Sequence, residues 1–298
     1  MKSVNENSDH SAKNMRVWSR RQFISGFTMA AASAAVIPAL TACGSSTSSS
    51  NSSNSSSNTS DSSDSYTLVE AGKLTVASDL AYPPMESVPD GGGDPVGFEV
   101  DMMKEIASRL GLTCEYLAAQ KFDTIIATVK EGGKADVGAS SFTITDERKE
   151  EIDFTDSFMD SNQALVTKIG ASDTTEDSLN VAGKKIAVQS GTTGEDWAKE
   201  NLSNATIVPL DDTIQALTGC DTGLYDAVVA DLPVMKYECE NSYTDLQVSI
   251  EIPTGEQYGI VVSKDNPGLT EAINGALSDM QDDGTMDNLE TQWFGSTL

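Results

Sequence analysis

From Lys73 to Ser263 the chain repeats one pattern: a short apolar run, a turn, an amphipathic helix, then another apolar run. Lys73–Ser78 reads as a strand, and the Pro- and Gly-rich stretch Leu80–Pro95 as loop. A helix is predicted over Asp101–Leu110, where Met103, Ile106, Ala107 and Leu110 share one face and Gly111 supplies the stop. Leu112–Leu117 is the next strand. Phe122, Ile125, Ile126 and Val129 mark a second helix ended by Gly132 and Gly133, and a strand opens at Asp136. The pattern restarts with strand Lys184–Gln189, a helix near Glu195 with Thr193 as its cap, strand Thr206–Pro209, helix Thr213–Leu217, strand Ala227–Ala230 and helix Pro233–Cys239. Tyr258–Ser263 returns as a strand, and Leu269, Ile273, Leu277, Met280, Leu289, Trp293 and Phe294 anchor the last helices. Strands alternating with helices predict an α/β fold of two units, each a mostly parallel sheet covered by helices, joined near Ser161–Lys168 with a cleft between them. Ligands of such sheets sit beyond the carboxyl ends of the strands. Asp79, Ser140–Thr143 and Asp231 all fall at such ends.

The segment Asp136–Arg148 carries the most chemistry. Its apolar start breaks into Ser140, Ser141, Thr143 and Thr145, and Arg148 follows. Small hydroxylated residues at a strand end expose backbone N–H groups, and an arginine adds a planar fork matched to a carboxylate. The plainer alternative is a helix capped by Thr145 with Arg148 on its surface.

Composition removes whole classes of activity. The one histidine, His10, lies in an N-terminal segment that reads as removable, so no Ser-His triad, Cys-His pair or His-ligated metal is expected in the remainder. That segment opens with Ser19-Arg-Arg-Gln-Phe-Ile24, a twin-arginine export signal, followed by an Ala-rich apolar run too short to span a membrane. Leu40-Thr-Ala-Cys43 resembles a bacterial lipoprotein cleavage box, with Cys43 as the lipidated new N-terminus. Removing residues 1–42 takes away five basic residues (Lys2, Lys13, Arg16, Arg20, Arg21) and two acidic ones (Glu6, Asp9). Of 19 basic and 46 acidic residues, 14 and 44 then remain, a net charge of −30. A nucleic-acid binder needs the opposite sign. Residues 43–65 form a tract of Ser, Asn, Thr and Asp that cannot bury apolar surface and reads as a tether. No cofactor and no metal site is expected. Cys220 and Cys239, ending successive helices at one sheet edge, are candidates for a disulfide, and Cys114 for a buried free thiol.

Taken together, Ala81-Tyr-Pro-Pro-Met85, Gly97-Phe-Glu-Val-Asp101, the run Ser140–Arg148, Ile152-Asp-Phe-Thr155, Ser190-Gly-Thr-Thr193, Asp226-Ala-Val-Val-Ala-Asp231, Gln257-Tyr-Gly-Ile260 and Trp293-Phe-Gly295 occur in a specific order and spacing. In that order the chain resembles the polar amino-acid solute-binding proteins of ABC importers, over nearly the whole folded part. The resemblance implies a two-lobed periplasmic-binding-protein fold of type II with a two-crossover hinge. Lobe one would comprise 66–160 plus 260–298, and lobe two 164–256. It also implies a monomer outside the cytoplasm, anchored through Cys43, that hands a free amino acid to a membrane permease.

Residue by residue, the resemblance gives Arg148 the ligand α-carboxylate, with Ser141, Thr143 and Thr193 as further donors. Asp231 would take the α-ammonium, or simply cap the helix before Pro233. Tyr82 and Phe122 would sandwich the ligand side chain, or Phe122 would be core. Asp79 would meet a polar side chain, with Glu99 and Asp123 as possible assistants. Asp79 beside aromatic walls suits a basic or amide side chain, while Gln189 stands where glutamine binders often carry lysine. Some relatives are dehydratases using a carboxylic acid, for which Glu99 or Asp123 would serve. A ligand-sensing ectodomain is the other alternative.

Overall fold

The computed structural model describes residues 66–297; the expected export signal, lipidation box at Cys43 and tether lie outside the described residues. In chain order the first part runs β1 (Lys73–Ala77), β2 (Ala81–Tyr82), β3 (Glu86–Ser87), α1 (Phe98–Arg109), β4 (Thr113–Tyr116), α2 (Phe122–Glu131), β5 (Val137–Gly138), α3 (Asp146–Glu151) and β6 (Asp153–Phe154). The long β7 (Met159–Lys168) leads to α4 (Glu176–Leu179), β8 (Lys185–Gln189), α5 (Thr193–Asn201), β9 (Thr206–Leu210), α6 (Thr213–Asp221), β10 (Ala227–Asp231), α7 (Leu232–Asn241) and the equally long β11 (Leu246–Tyr258). The chain then returns through β12 (Val261–Val262), α8 (Pro267–Asp282) and α9 (Thr285–Phe294).

Two five-stranded sheets result. One has the order β4-β1-β5-β12-β6, the other β11-β7-β10-β8-β9. Within each, the strands joined by helical crossovers pair in parallel, as right-handed βαβ connections require. The antiparallel members β12, β7 and β11 are those through which the chain passes from one lobe to the other. β7 and β11 pair along most of their length, with irregularities between Val248 and Ile250 and between Ile252 and Glu256. Their far ends join the first lobe: Thr143 bridges to Tyr258, and Gly259 N–H donates to Phe142 O at 3.0 Å.

Three local readings change. The stretch Leu80–Pro95 is not all loop, because β2 and β3 form a two-residue hairpin, Ala81 against Ser87 and Tyr82 against Glu86. That hairpin docks on the start of α1 through Phe98 N–H to Pro84 O and Glu99 N–H to Met85 O, both 2.9 Å. Gly97 permits the contact: its φ is +147° and a Cβ there would lie 2.1 Å from Met85 O. The helix expected near Glu195 starts one residue earlier than its cap implied. Thr192, not Thr193, caps α5, accepting from Glu195 N–H at 3.1 Å. Finally, Cys220 and Cys239 are free thiols rather than a disulfide, and Cys114 is free but only half-buried. Cys220 is packed inside an apolar cluster with Ala216, Leu217 and Met235, where it serves as a small hydrophobe.

Candidate ligand-binding cleft

Asp79, Tyr82, Phe122, Ser140, Ser141, Thr143, Arg148, Gln189, Thr192, Thr193 and Asp231 line one small, nearly filled cavity between the lobes. All eight ligand-contact residues expected from the sequence therefore reach one place. Their roles differ in detail.

Arg148 satisfies both readings of its segment. Thr145 caps α3, accepting from Arg148 N–H at 3.1 Å, so the backbone follows the plain capping pattern. The side chain nevertheless folds inward. Nη1 donates to Thr143 O at 2.8 Å and Nη2 to Gly191 O at 3.0 Å, across the lobes. The guanidinium also lies 5.5 Å from the Phe122 ring centroid and 5.6 Å from that of Phe142. Those two rings stack on each other at 4.5 Å. Cation–π contact and stacking hold the fork in one plane. Burial lowers the Arg148 pKa from its usual value, an effect opposed by Asp231 and Glu256. Phe122 is thus both a wall of the cavity and part of a core cluster.

Gly191 makes the meeting of the lobes possible. Its φ is +77°, and a Cβ there would sit 2.9 Å from the Asp123 Cβ at the start of α2. Asp123 is consequently turned against the backbone of the other lobe and is not among the cavity's lining residues.

Asp231 is held by the two long strands. Gln163 of β7 donates from Nε2 to Oδ1 at 2.5 Å, and Tyr258 of β11 donates from its hydroxyl to Oδ2 at 2.7 Å. Asp231 N–H in turn donates to the Tyr82 hydroxyl at 3.2 Å. Its side chain makes no helix-capping bond to α7, so the capping alternative is not what the carboxylate does. Burial, reinforced by Glu256, raises its pKa to about 6.

Asp79, which has no obvious partner in its own segment, finds partners elsewhere. Gln189 Nε2 donates to Oδ2 at 2.9 Å from the other lobe, and Ser140 Oγ and Ala81 N–H reach Oδ1 at 3.2 and 3.1 Å. Burial raises the Asp79 pKa, while these donors act against the shift. Gln189 itself is oriented by Thr213 Oγ1, which donates to its Oε1 at 3.0 Å.

The hydroxyl donors are less free than the sequence implied. Ser141, which lines the cavity, gives its N–H (2.8 Å) and its hydroxyl (3.3 Å) to Glu99. Thr143 and Thr193 have their hydroxyls 3.4 Å apart and both donate to Glu256 Oε2, at 3.1 and 3.0 Å. Gln163 and Glu256 were not singled out from the sequence. A signal for Gln163 existed: it is a polar residue beside the apolar run Ala164-Leu-Val166, which marks a buried polar group in need of partners.

The comparisons fit this geometry. Residues 74–296 match the family described as bacterial extracellular solute-binding proteins, family 3. The chain belongs to that family. This solute-binding protein is 30% identical over 229 residues to the L-cystine-binding protein TcyJ of Escherichia coli (strain K12), spanning 77% of this chain and 85% of that protein. Among solved structures it resembles an ancestral arginine-binding protein bound to arginine, with 36% identity, a TM-score of 0.70, and coverage of 75% of this chain and 98% of the other. It also resembles the ancestral amino acid-binding protein AncCDT-1, a precursor of cyclohexadienyl dehydratase, at 33% identity and a TM-score of 0.69 over 75% and 96% of the two chains. The fold is accordingly that of type II periplasmic binding proteins, two α/β lobes with a hinge of two crossovers. Among the described residues no helix is long and apolar enough to cross a membrane.

Proposed function

We propose that this protein captures a free amino acid with a basic or amide side chain outside the cytoplasm and delivers it to the permease of an ABC importer. The observation that carries the reading is one cavity lined by a single guanidinium, Arg148, and two buried carboxyl groups, Asp231 and Asp79. An α-amino acid presents the complementary charges. Its carboxylate suits the Arg148 fork with Thr143 and Thr193, its ammonium suits Asp231, and a cationic or amide side chain suits Asp79 between Tyr82 and Phe122. Burying both ends of a zwitterion is costly unless each is paired, and this set pairs both. Contacts from both lobes favour the arrangement in which the lobes meet.

Lobe one then comprises 66–160 with 260–298 and lobe two 164–256. The protein acts as a monomer held at the outer membrane face by a lipid on Cys43. A dehydratase role is less well supported. Neither acid the sequence offers for that role lines the cavity: Glu99 is fully buried behind it and Asp123 lies at Gly191, while the acids that do line it, Asp79 and Asp231, are held by Gln189, Gln163 and Tyr258.

A thermal-shift screen of the twenty amino acids tests the reading, since a ligand at 100 times its Kd stabilises by about 2.7 kcal/mol. Arginine, lysine, histidine or glutamine should raise the melting temperature, and aspartate and glutamate should not. No shift with any amino acid would reject it.

A further inference from the structure

Behind the cavity wall formed by Asp79, Ser140 and Ser141, two glutamates meet. Glu86 on β3 and Glu99 in the first turn of α1 are both completely buried. Glu86 Oε1 accepts from Ser140 Oγ at 2.7 Å. Glu99 Oε2 accepts the Ser141 N–H and hydroxyl. The second oxygen of each, Glu86 Oε2 and Glu99 Oε1, has no donor from any described residue. Their segments are in direct contact: Glu99 N–H donates to Met85 O at 2.9 Å, a Cβ on Gly97 would lie 2.8 Å from Glu86 Cα, and the neighbouring residues Ser140 and Ser141 each bond one of the two acids. The other titratable groups facing them are Asp79 at the end of β1 and Tyr116 on β4, whose hydroxyl is also buried without a partner.

Two adjacent carboxylates in such a place cannot both be ionised. One proton between them resolves both orphan oxygens. The donors identify its owner. Glu99 takes two bonds from Ser141 and sits in the first turn of a helix, where the dipole favours negative charge. Glu86 takes one bond and also feels Asp79, so it is the better acid.

We propose that a proton carried by Glu86 and shared with Glu99 is a structural part of the ligand site, positioning Ser140 and Ser141 and through them Asp79. Ser141 holds a left-handed φ of +52°, which costs energy for a serine, and the Glu99 bonds are what retain it. Glu86 and Glu99 are positioning residues and do not touch the cavity. Burial raises both acids, Glu99 to about 7 and Glu86 well above the usual carboxyl range. Acids raised in the folded state contribute stability at low pH that is lost as pH rises through the folded value. The site is therefore expected to loosen progressively as pH rises from the ordinary glutamate range towards the raised values.

The binding arm of the test rests on the amino-acid reading; the other two arms do not. Infrared spectra of the protein at neutral pH should show the C=O stretch of an un-ionised carboxyl, and Glu86→Gln should remove it. Without added amino acid, the wild-type melting temperature should fall as pH rises above the ordinary glutamate range, and that of Glu86→Gln should fall less. Gln keeps a donor toward Glu99 and should bind the amino acid found in the screen within about threefold of wild type at neutral pH. Glu86→Ala, which orphans Glu99, should bind it about tenfold or more weakly. Absence of the un-ionised band in the wild type, or a loss with rising pH identical in wild type and Glu86→Gln, would overturn the proposal, even if Glu86→Ala does not fold. A wild type that shows the band yet binds no amino acid would reject the transport reading and leave the shared proton standing.

Discussion

The two walls of the cleft are built differently. The lobe-one wall is braced from behind. Arg148 is stacked on Phe122 and Phe142 and bonded to Thr143 O, and Ser140 and Ser141 are tied to Glu86 and Glu99. The acid of the other wall, Asp231, is braced from the side, by Gln163 and Tyr258 on the strands that connect the lobes. The first wall keeps its shape when the lobes move, whereas the placement of Asp231 depends on the crossover strands themselves. A ligand should therefore dock first by its carboxylate on lobe one and gain its ammonium contact as the lobes meet.

The comparison can be broken most sharply at Arg148. Arg148→Ala leaves the ligand carboxylate unpaired and should cost about 2–5 kcal/mol of affinity by calorimetry. Arg148→Lys should recover part of this, since a point charge cannot replace a planar fork. Unchanged affinity in the alanine variant would remove lobe one from carboxylate recognition.

Asp231 sharpens the contrast. With a pKa near 6, it loses its charge as pH falls through that value, so affinity for a zwitterion should decline below about 6. Asp231→Asn should bind weakly throughout and lose the acid limb of the profile. An acid limb that persists in the asparagine variant would assign it to another group.

A smaller effect probes the side bracing. Tyr258→Phe removes one hydroxyl donor to Asp231 and should weaken binding by about 1 kcal/mol while leaving the fold intact. Smallest of all is the pair Lys121–Asp211, which crosses the cleft mouth at 2.7 Å with both side chains more than half exposed. Lys121→Ala should change affinity barely beyond the error of calorimetry, and any change should vanish at high salt.

Much of this was legible in the chain because periodicity and strand-end chemistry are local. Arg148, Asp231, Asp79, Tyr82 and Phe122 fall at strand ends or helix starts, where the α/β pattern itself points at a ligand. What stayed hidden depends on pairing between distant segments. Gln163 stands beside Asp231 because β7 and β10 pair in that register, 68 residues apart. Glu86 meets Glu99 because a hairpin too short for periodicity to reveal folds onto α1. Ser141 was read as a ligand donor because its type fits that task, but only tertiary packing shows its hydroxyl spent on Glu99. Gly138 has the same dependence, since it packs under Val261 and Ile125 with no room for a Cβ.

The bare backbone at Gly191 has a mechanical consequence. A single hydrogen, in place of a side chain, sets the clearance at which the halves come to rest, with the Asp123 methylene as the surface they rest on. Each carbon added there would act as a doorstop and shorten the arc of rotation, so one position on one turn gauges how completely the mouth can shut.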